Sequence, residues 1–306
     1  MWRDDPRDDD RARADRSRGT SGEARSGNTD PREVVTRDLD VPRGRARARV
    51  RVRTQTYTLR GSEARTLATV GAFRVVAARD LRDHRERPLD PRSSDLKHLR
   101  EAGLVRTMPY LLGRTRTTVI TLTARGRDVL EAMRRDSPDE RTQTFYEGLR
   151  NPRELAHDLM VYRAYLRAAE RLVKGGGHLR RVVLDDELKR DYQRFLQAPN
   201  RRRPDSDGQP LRDGDAIERW AIGQKLPGED GHVQFPDLRI EYEDRDGLAR
   251  TEDVEVETPH YRGAHAAAKA RSGFTRYRSA GGRLGGGSSR GGGSPFDRGY
   301  AEDVLS

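Results

Sequence analysis

In the first half of the chain, a regular pattern of apolar residues at helical spacing starts near residue 57. Helical spacing predicts one helix through Leu67, Val70 and Phe73, with Ser62 in position to cap its first turn. A short second helix is predicted from Ala77 to His84. The pattern therefore indicates that a folded unit starts with two helices.

A third helix is predicted from Asp95 to Ala102, with residue 93 or 94 as its N-cap and Gly103 as its end. Leu96 and Leu99 form the apolar side of this helix, which should face a core. Three polar side chains are left facing solvent: Lys97, His98 and Arg100. An amphipathic helix with a basic outer face is therefore expected.

Strand-like alternation follows this third helix. The runs Leu104 to Leu112 and Thr117 to Thr123 predict a hairpin, and residues 113–116 form its basic tip. Thr123 then caps a fourth helix from Ala124 to Arg135. Three helices, a hairpin and a closing helix, over residues 57–136, follow the element order of a winged helix-turn-helix.

A second unit is predicted over residues 151–278, after a joint at Ser137-Pro138. Its apolar spacing changes between the helical and the strand period, which predicts an α/β arrangement. Residues 198–231 are rich in Pro, Gly, Asp and Arg and are expected to form an inserted, partly mobile loop. The predicted elements are a helix over Leu155–Val173, a strand over Leu179–Leu184, a helix over Glu187–Leu196, a hairpin of Val233–Tyr242 with Thr251–Thr258, and a helix over Gly263–Tyr277.

Both ends of the chain lack a sustained apolar period. Residues 1–56 are predicted to be a disordered basic arm, and residues 279–306 a Gly-rich tail. Within the arm, Arg43, Arg45 and Arg47 belong to an Arg-rich run whose Pro-Arg-Gly-Arg start is similar to an AT-hook, an extended segment that lays Arg in the minor groove. The alternative is a solvated basic linker, which would still add affinity for phosphate.

Composition narrows the function classes. A chain of 306 residues suggests about two domains, and the lack of Cys excludes disulfides and Cys-based zinc sites. No long apolar run and no N-terminal signal are present, so a cytoplasmic protein without a membrane segment is expected. The net charge of +11, carried mainly by Arg, favours a polyanionic partner such as double-stranded DNA. A GC-rich genome would also enrich Arg.

Acidic residues of the second unit form a candidate metal site. Alternation along a strand places Glu255 and Glu257 on one face, and Asp237 could approach them if its strand pairs antiparallel. Close carboxylates suit Mg²⁺, which assists phosphodiester cleavage. Lys269 on the following helix could supply a positive charge to the same place. The alternative is one solvated face of a half-buried sheet.

Two short strings in the first unit resemble MarR-like winged helices. Leu122-Thr123-Ala124-Arg125-Gly126 contains the Leu-Thr-x-x-Gly of their wing-to-helix junction, and Leu99 to Val105 matches the end of their recognition helix. The resemblance implies that the third helix enters the major groove and the hairpin tip clasps an adjacent groove or phosphate. A winged helix used only for protein contacts is the alternative. The residues expected to contact DNA here are Arg92, Ser94, Lys97, His98, Arg100, Arg114 and Arg116.

Pro236-Asp237 followed by Glu255-Val256-Glu257 resembles the signature of the restriction-endonuclease-like core, with Glu257 where Lys is usual. In order, the motifs of the whole chain resemble the replication-relaxation family of plasmids and other mobile elements. The resemblance implies Asp237, Glu255 and Glu187 as metal ligands for Mg²⁺, and Glu257 and Lys269 as catalytic groups.

The sequence departs from this core in one respect, because no further strand is evident between the last predicted helix and the Gly-rich tract. A sheet without its closing strand would have an exposed edge. Two hypotheses therefore stay open. The first is an accessory or regulatory DNA-binding protein with a non-cutting nuclease-like domain, and the second is a magnesium-dependent endonuclease or nickase. A homodimer or a complex with replication or mobilisation proteins is compatible with both.

Overall fold

The computed structural model describes residues 30–82, 88, 89, 92, 94–112, 115–136, 141–202, 212–229, 231–257, 269 and 271–278. It is a mixed α+β structure in which helices pack against several sheets. None of the helices in these ranges is long and apolar enough to cross a bilayer.

The first unit is built from three helices and a three-stranded sheet. In chain order its elements are α1 (Gly61–Phe73), β3 (Val75–Ala77), α2 (Ser94–Glu101), β4 (Val105–Leu112), β5 (Thr115–Leu122) and α3 (Ala124–Ala132), preceded by β1 (Arg47–Val52) and β2 (Gln55–Arg60). Strand β5 lies between β3 and β4 and pairs antiparallel with both. Leu96 and Leu99 are fully buried, which confirms the predicted apolar side of the third helix.

Two local predictions in this unit are wrong. Where a helix from Ala77 to His84 was predicted, the chain forms β3 and the 3-10 turn Ala78–Asp80, because Val75, Val76 and Ala77 are all buried in the sheet. Residues 83 and 84 lie outside the described ranges. The hairpin turn is shorter than expected, since Leu112 pairs with Thr115 and only residues 113 and 114 separate the strands. Those two residues lie outside the described ranges.

Contacts at the junction between β5 and α3 explain the Thr and the Gly of the Leu-Thr-x-x-Gly string. Thr123 caps α3, because its hydroxyl accepts the Gly126 amide proton at 3.1 Å and donates to the Gly103 carbonyl at 2.7 Å. A Cβ on Gly126 would lie 2.2 Å from the Leu104 carbonyl oxygen. The junction therefore needs a hydroxyl at its cap and no side chain one turn later.

The prediction that residues 1–56 are disordered is wrong for residues 30–56. A 3-10 helix, Pro31–Thr36, is capped by Asp30, whose carboxylate accepts the Arg32 amide proton at 3.0 Å. Val34, Val35 and Leu39 are buried at 0–1% exposure. These three apolar residues are sparse among charged ones, so the average composition conceals them. Residues 1–29 lie outside the described part of the chain.

The Arg-rich run, expected to be an extended arm, is half of a β-hairpin. Strands β1 and β2 pair antiparallel from Arg47 opposite Arg60 to Val52 opposite Gln55. The apolar face of this ribbon packs on the core, with Leu59 at 0% and Val50 at 7% exposure. Alternation of Arg with Ala and Val is the two-residue period of a strand with one buried face.

The second unit is a four-stranded sheet with helices packed on it. Its main elements are α4 (Leu155–Lys174), β6 (His178–Leu184), α5 (Asp185–Gln197), α6 (Gly214–Gly223), β7 (Gly228–Glu229), β8 (His232–Val233), β9 (Leu238–Glu243), β10 (Ala249–Glu257) and β11 (Thr275–Arg278). The strand order is β11-β10-β9-β6, where β9 is antiparallel to both neighbours and β11 is parallel to β10.

Strand β11 overturns the expectation that the sheet lacks its closing strand. The last helix was predicted to continue to Tyr277, but residues 275–278 pair with β10 from Val254 opposite Thr275 to Glu257 opposite Arg278. Phe274 and Tyr277 are buried at 7% and 5% exposure. Gly273, at a φ of +72°, lies in the turn directly before them. Most of the predicted helix falls on residues 258–268 and 270, which lie outside the described ranges.

The insertion over residues 198–231 also contains more structure than expected of a loop. It includes a 3-10 helix, Ala198–Arg202, and α6, which is capped by Asp213 through the Ala216 amide at 2.7 Å. Arg239 of β9 anchors the end of α6 by donating to the carbonyls of Gln224 at 2.7 Å and Lys225 at 3.0 Å. Residues 203–211 and 230 lie outside the described ranges.

The two units share one apolar core. Phe73 of α1 packs on Tyr162 and Tyr165 of α4, with ring centroids 4.8 Å apart in both pairs. Gln143, between the units, donates to the Val182 carbonyl at 2.9 Å and accepts from its amide at 3.1 Å, which covers the free edge of β6. Contacts of this kind hold the two units as one packed body.

Candidate functional site

Two carboxylates and an ammonium group meet at the end of the second sheet. Lys269 Nζ lies 2.7 Å from Glu255 Oε1 and 3.4 Å from Asp237 Oδ1. The two carboxylate oxygens are therefore at most about 6 Å apart, the sum of these distances. The predicted approach of Asp237, Glu255 and Lys269 is confirmed.

The sheet register places these three groups together. Asp237 directly precedes β9, and its Oδ2 accepts the Val256 amide proton at 2.8 Å across the strands. Glu255 points to the same side of β10, where its side chain is 2% exposed. Lys269, from the chain between β10 and β11, then reaches the gap between the two carboxylates with its own side chain 11% exposed.

His157 of α4 is a fourth charged group at this site. Its Nε2 lies 3.0 Å from Asp237 Oδ2 and its Nδ1 lies 3.4 Å from Asp158 Oδ1. Burial works against the imidazolium, but the carboxylates of Asp158 and Asp237 outweigh it and raise the pKa of His157 to about 10. At neutral pH the ring is therefore a cation between two anions.

The charges at the site compensate one another. Burial tends to raise the pKa of Asp237, but His157, Lys269 and the Val256 amide together lower it below its ordinary value. Burial likewise opposes the charged form of Lys269, whose pKa is nevertheless raised by Asp237 and Glu255. Both groups are therefore charged at neutral pH.

The environment of Glu257 differs from the prediction that made it a catalytic group. Its carboxylate pairs with Arg276 and Arg278 of β11. Because β11 runs beside β10, Glu257 faces the arginines of this added strand. The contacts assign Glu257 to holding the closing strand rather than to positioning a water molecule.

The predicted role of Glu187 as a metal ligand is also not supported by its contacts. On α5 it is buried, pairs with Arg181 and accepts the Thr144 hydroxyl proton at 2.6 Å. Two neighbours in the sequence, Asp185 and Asp186, instead line a cavity of about 60 Å³ that Asp237 and His157 also line. The helix starts two residues earlier than predicted, so both carboxylates lie in its first turn.

The described residues contain no group of three or more His, Cys, Asp and Glu side chains arranged to hold a metal ion. The donor set of the site nevertheless fits a hard cation, because Glu255 Oε1, Glu255 Oε2 and Asp237 Oδ1 surround one point, at 2.7, 2.8 and 3.4 Å from Lys269 Nζ. Lys269 Nζ sits at that point, so a metal ion and the ammonium group would compete for it. The chemistry available here is charge stabilisation between two carboxylates.

The first unit presents several of the predicted DNA-contacting residues to solvent. Lys97 and Arg100 are exposed on α2, and Lys97 lies 3.9 Å from Glu101. His98 is tied down, because its Nδ1 lies 2.8 Å from the buried Glu63 carboxylate of α1. Arg92 and Arg116 are exposed, the helix α2 begins at Ser94, and Arg114 falls outside the described residues.

The β1–β2 ribbon adds a basic face to the first unit. Its residues were expected to belong to a disordered arm. Arg43 and Arg45 are exposed just before β1. Cross-strand pairing then sets residues of β1 opposite residues of β2 on one exposed face. That face consists of Arg47, Arg49, Arg51, Thr56, Thr58 and Arg60 and has no acidic side chain.

The predicted site residues did not include His157, and the ribbon was expected to be disordered, yet both had signals in the sequence. His157 lies near the start of a long amphipathic helix, next to an acid, where a ring can reach the end of a strand. The ribbon has an unbroken two-residue period over RARVRV.

Comparisons of the chain with protein-family models, curated proteins and solved structures find no match.

Proposed function

We propose that this protein binds double-stranded DNA through its first unit. The observation that carries the proposal is the exposed face of the β1–β2 ribbon, which has four Arg, two Thr and no acid. Arginines at alternate positions of one strand are about 6.6 Å apart, from a rise of about 3.3 Å per residue. That spacing is close to the phosphate repeat of a nucleic-acid strand, and Arg binds phosphate with two parallel hydrogen bonds.

Helix α2 supports the same proposal. Its apolar side is fully buried through Leu96 and Leu99, so Lys97 and Arg100 are fixed on the outside of a helix that is held by the core. The sheet order β3-β5-β4, with α2 before the hairpin and α3 after it, supports a winged helix-turn-helix, in which the 3-10 turn Ala78–Asp80 stands where the start of the second helix was expected. In that arrangement α2 enters the major groove and Arg116 lies near the wing.

Magnesium-dependent phosphodiester cleavage is the second candidate function, favoured by three observations. Lys269 joins Asp237 and Glu255, and β11 gives the sheet the closing strand that such a core requires. The order β11-β10-β9-β6, with only β9 reversed, supports a restriction-endonuclease-like arrangement.

The role we propose is in the replication or relaxation of plasmid or other mobile-element DNA.

For this second function, Asp237 and Glu255 would hold Mg²⁺, which supplies neutralisation of developing phosphate charge and a water of lowered pKa. Lys269 would then leave the gap between the carboxylates and place its ammonium group beside a scissile phosphate. His157 keeps Asp237 ionised and oriented through its hydrogen bond of 3.0 Å. The two cations therefore maintain the charged form of the site before any metal binds.

The experiment that tests the main proposal is a titration of a labelled duplex, followed by fluorescence anisotropy. A variant with Gln at Arg47, Arg49 and Arg51 should bind more weakly than the unmodified protein, because its ribbon face keeps only one Arg. A Lys97→Ala, Arg100→Ala variant should lose about 1–3 kcal/mol per base-edge contact. Unchanged affinity in both variants would refute DNA binding by this unit.

The second candidate is tested separately on supercoiled plasmid with and without Mg²⁺. Nicking by the unmodified protein that disappears in Glu255→Ala supports cleavage at this site. If plasmid stays uncut while duplex binding persists, the protein is a DNA-binding protein whose second unit does not cut.

A further inference from the structure

Four aromatic rings form a continuous cluster on the second unit, outside the acid site formed by Asp237, Glu255 and Lys269. Tyr192 lies at its centre, with ring centroids 5.0 Å from Trp220 and 5.6 Å from Phe235. Phe195 stacks on Trp220 at 5.5 Å with an interplanar angle of 21°. Each of the four residues is only partly buried.

The cluster is held rigidly from below. Val183, Leu188, Ala221 and Leu226 are buried beneath it and form a small core of their own. The end of α6, which carries Trp220, is fixed to β9 because the buried Arg239 bonds two carbonyls there. Anchored, partly exposed rings form a preorganised surface, so little binding free energy is lost in ordering the rings when a ligand stacks on them.

The charges around the rings suit an anionic ligand. The guanidinium group of Arg212 lies over the Phe195 ring, 4.6 Å from its centroid. From residue 189 to residue 202 the sequence carries five basic residues and one acid, Asp191; of the five, Lys189 pairs with Asp185 and Arg194 with Asp191. Aromatic faces interleaved with Arg are what single-stranded nucleic acid needs, because bases stack on the rings while cations follow the phosphates. A neutral apolar peptide would form no ion pairs with these cations.

The cluster is also continuous with the acid site. Phe235 precedes Pro236-Asp237 directly, and the amide of Asp185, which starts α5, donates to the Asp237 carbonyl at 3.3 Å. Tyr192 lies seven residues farther along α5. That distance is about 10 Å at the helical rise of about 1.5 Å per residue. A strand that reaches Asp237 would thus have its neighbouring nucleotides within reach of the rings.

We propose that Tyr192, Phe195, Trp220 and Phe235 form a stacking surface for unpaired bases of single-stranded DNA next to the acid site. The proposal rests on DNA being the ligand of the proposed function, and it adds the class of substrate: DNA that is unpaired or opened near Asp237. Duplex held by the first unit would then present its melted part to the second unit.

Trp220 gives a direct test, because the chain has two tryptophans and the other is Trp2. In a Trp2→Phe protein all indole emission comes from Trp220. A thymidine homopolymer, which has no duplex of its own, should quench this emission in a saturable manner at low salt. Unchanged emission at saturating polymer, as judged by anisotropy of a labelled homopolymer, would overturn the proposal.

A second measurement uses variants with a matched control. Phe195→Leu keeps an apolar side chain but removes a ring, and should weaken homopolymer binding about 5- to 150-fold, the value of one base stack. Tyr242→Leu, a half-exposed ring outside the cluster, should leave binding unchanged. If both variants bind like the unmodified protein, the stacking surface is refuted, whatever the duplex affinity.

The outcome separates this inference from the proposed function. Loss of duplex binding in the Lys97→Ala, Arg100→Ala variant together with unquenched Trp220 would leave the proposed function standing and remove only the stacking surface. Absence of binding to duplex and homopolymer alike would remove both. A Phe195→Leu protein that does not fold would not affect the quenching measurement, which needs no change in the cluster.

Discussion

Replacement of Lys269 by Met would leave the carboxylates of Asp237 and Glu255 without the ammonium group that lies between them. The side chains of Asp237 and Glu255 are 11% and 2% exposed, so water can replace little of the lost interaction. Met keeps a similar length and apolar stem. The change therefore tests the charge and hardly alters the packing.

The expected loss follows from the burial of the group. Removing one partner of a buried ion pair costs about 3–5 kcal/mol of unfolding free energy, because the remaining charge is left uncompensated. His157 still neutralises Asp237 in the variant, at 3.0 Å, so the lower end of this range, about 3 kcal/mol, applies. Most of the cost falls on Glu255.

Urea unfolding at neutral pH measures this loss, and Lys174→Met is the matched control. Lys174 pairs with Glu170 at 2.9 Å on an exposed face of α4, so its removal should change stability little. The pKa of Asp237 is lowered, so its ion pairing stabilises the fold above the ordinary pKa of 3.8 and less as pH falls below it. The penalty of Lys269→Met should therefore shrink in acid.

Magnesium provides the second readout on the same variant. With the ammonium group gone, Mg²⁺ should bind between the carboxylates without competition and stabilise the variant more than the unmodified protein. The gain is about 2.7 kcal/mol at a concentration about 100 times Kd. Equal stability of variant and unmodified protein at neutral pH, with no difference in their response to Mg²⁺, would refute the described charge balance.

Three other predictions concern the fold. Leu99→Ala should lower the unfolding free energy by about 2–5 kcal/mol through the cavity it leaves, while Lys97→Ala should not; equal effects in urea unfolding would contradict the assigned faces of α2. Gly126→Ala should cost about 1–3 kcal/mol, since its Cβ would meet the Leu104 carbonyl; an unchanged unfolding midpoint would contradict that contact. The pKa of His157 is raised to about 10 in the fold. Relative to His157→Gln, the unmodified protein should therefore lose up to about 1.4 kcal/mol of unfolding free energy per pH unit between pH 6.5 and 10. Parallel profiles of unfolding free energy against pH for the two proteins would disprove the ion pair.

The sequence predicts those parts of the fold in which a local pattern and a long-range contact favour the same structure. The long helix α4 and the amphipathic α2 have apolar stripes of helical period, and both form as predicted. The carboxylates of Asp237 and Glu255 meet because the antiparallel pairing of β9 and β10 fixes their positions. Alternation along adjacent strands is enough to expect that approach.

Predictions failed where a short buried segment lies in a charged or glycine-rich context. Strand β11 has only four residues, two of them Arg, so its pairing with β10 is visible only once β10 is in place. The ribbon has a clear strand period, but its charge suggested disorder. Glu187 was assigned to the metal by the family resemblance, and its buried partner, Arg181, lies on another element and gives no local signal in the sequence.

The central claim, that the ribbon face binds DNA phosphates, is tested most directly by the salt dependence of duplex affinity. Each phosphate contact contributes about 0.9 to the slope of log affinity against log salt. Replacing Arg47, Arg49 and Arg51 by Gln should therefore reduce the slope by about 2.7 if each binds one phosphate. A control that removes three exposed cations elsewhere should keep the full slope: Arg153, Lys174 and Arg245. An identical slope in the ribbon variant and the unmodified protein would contradict the account.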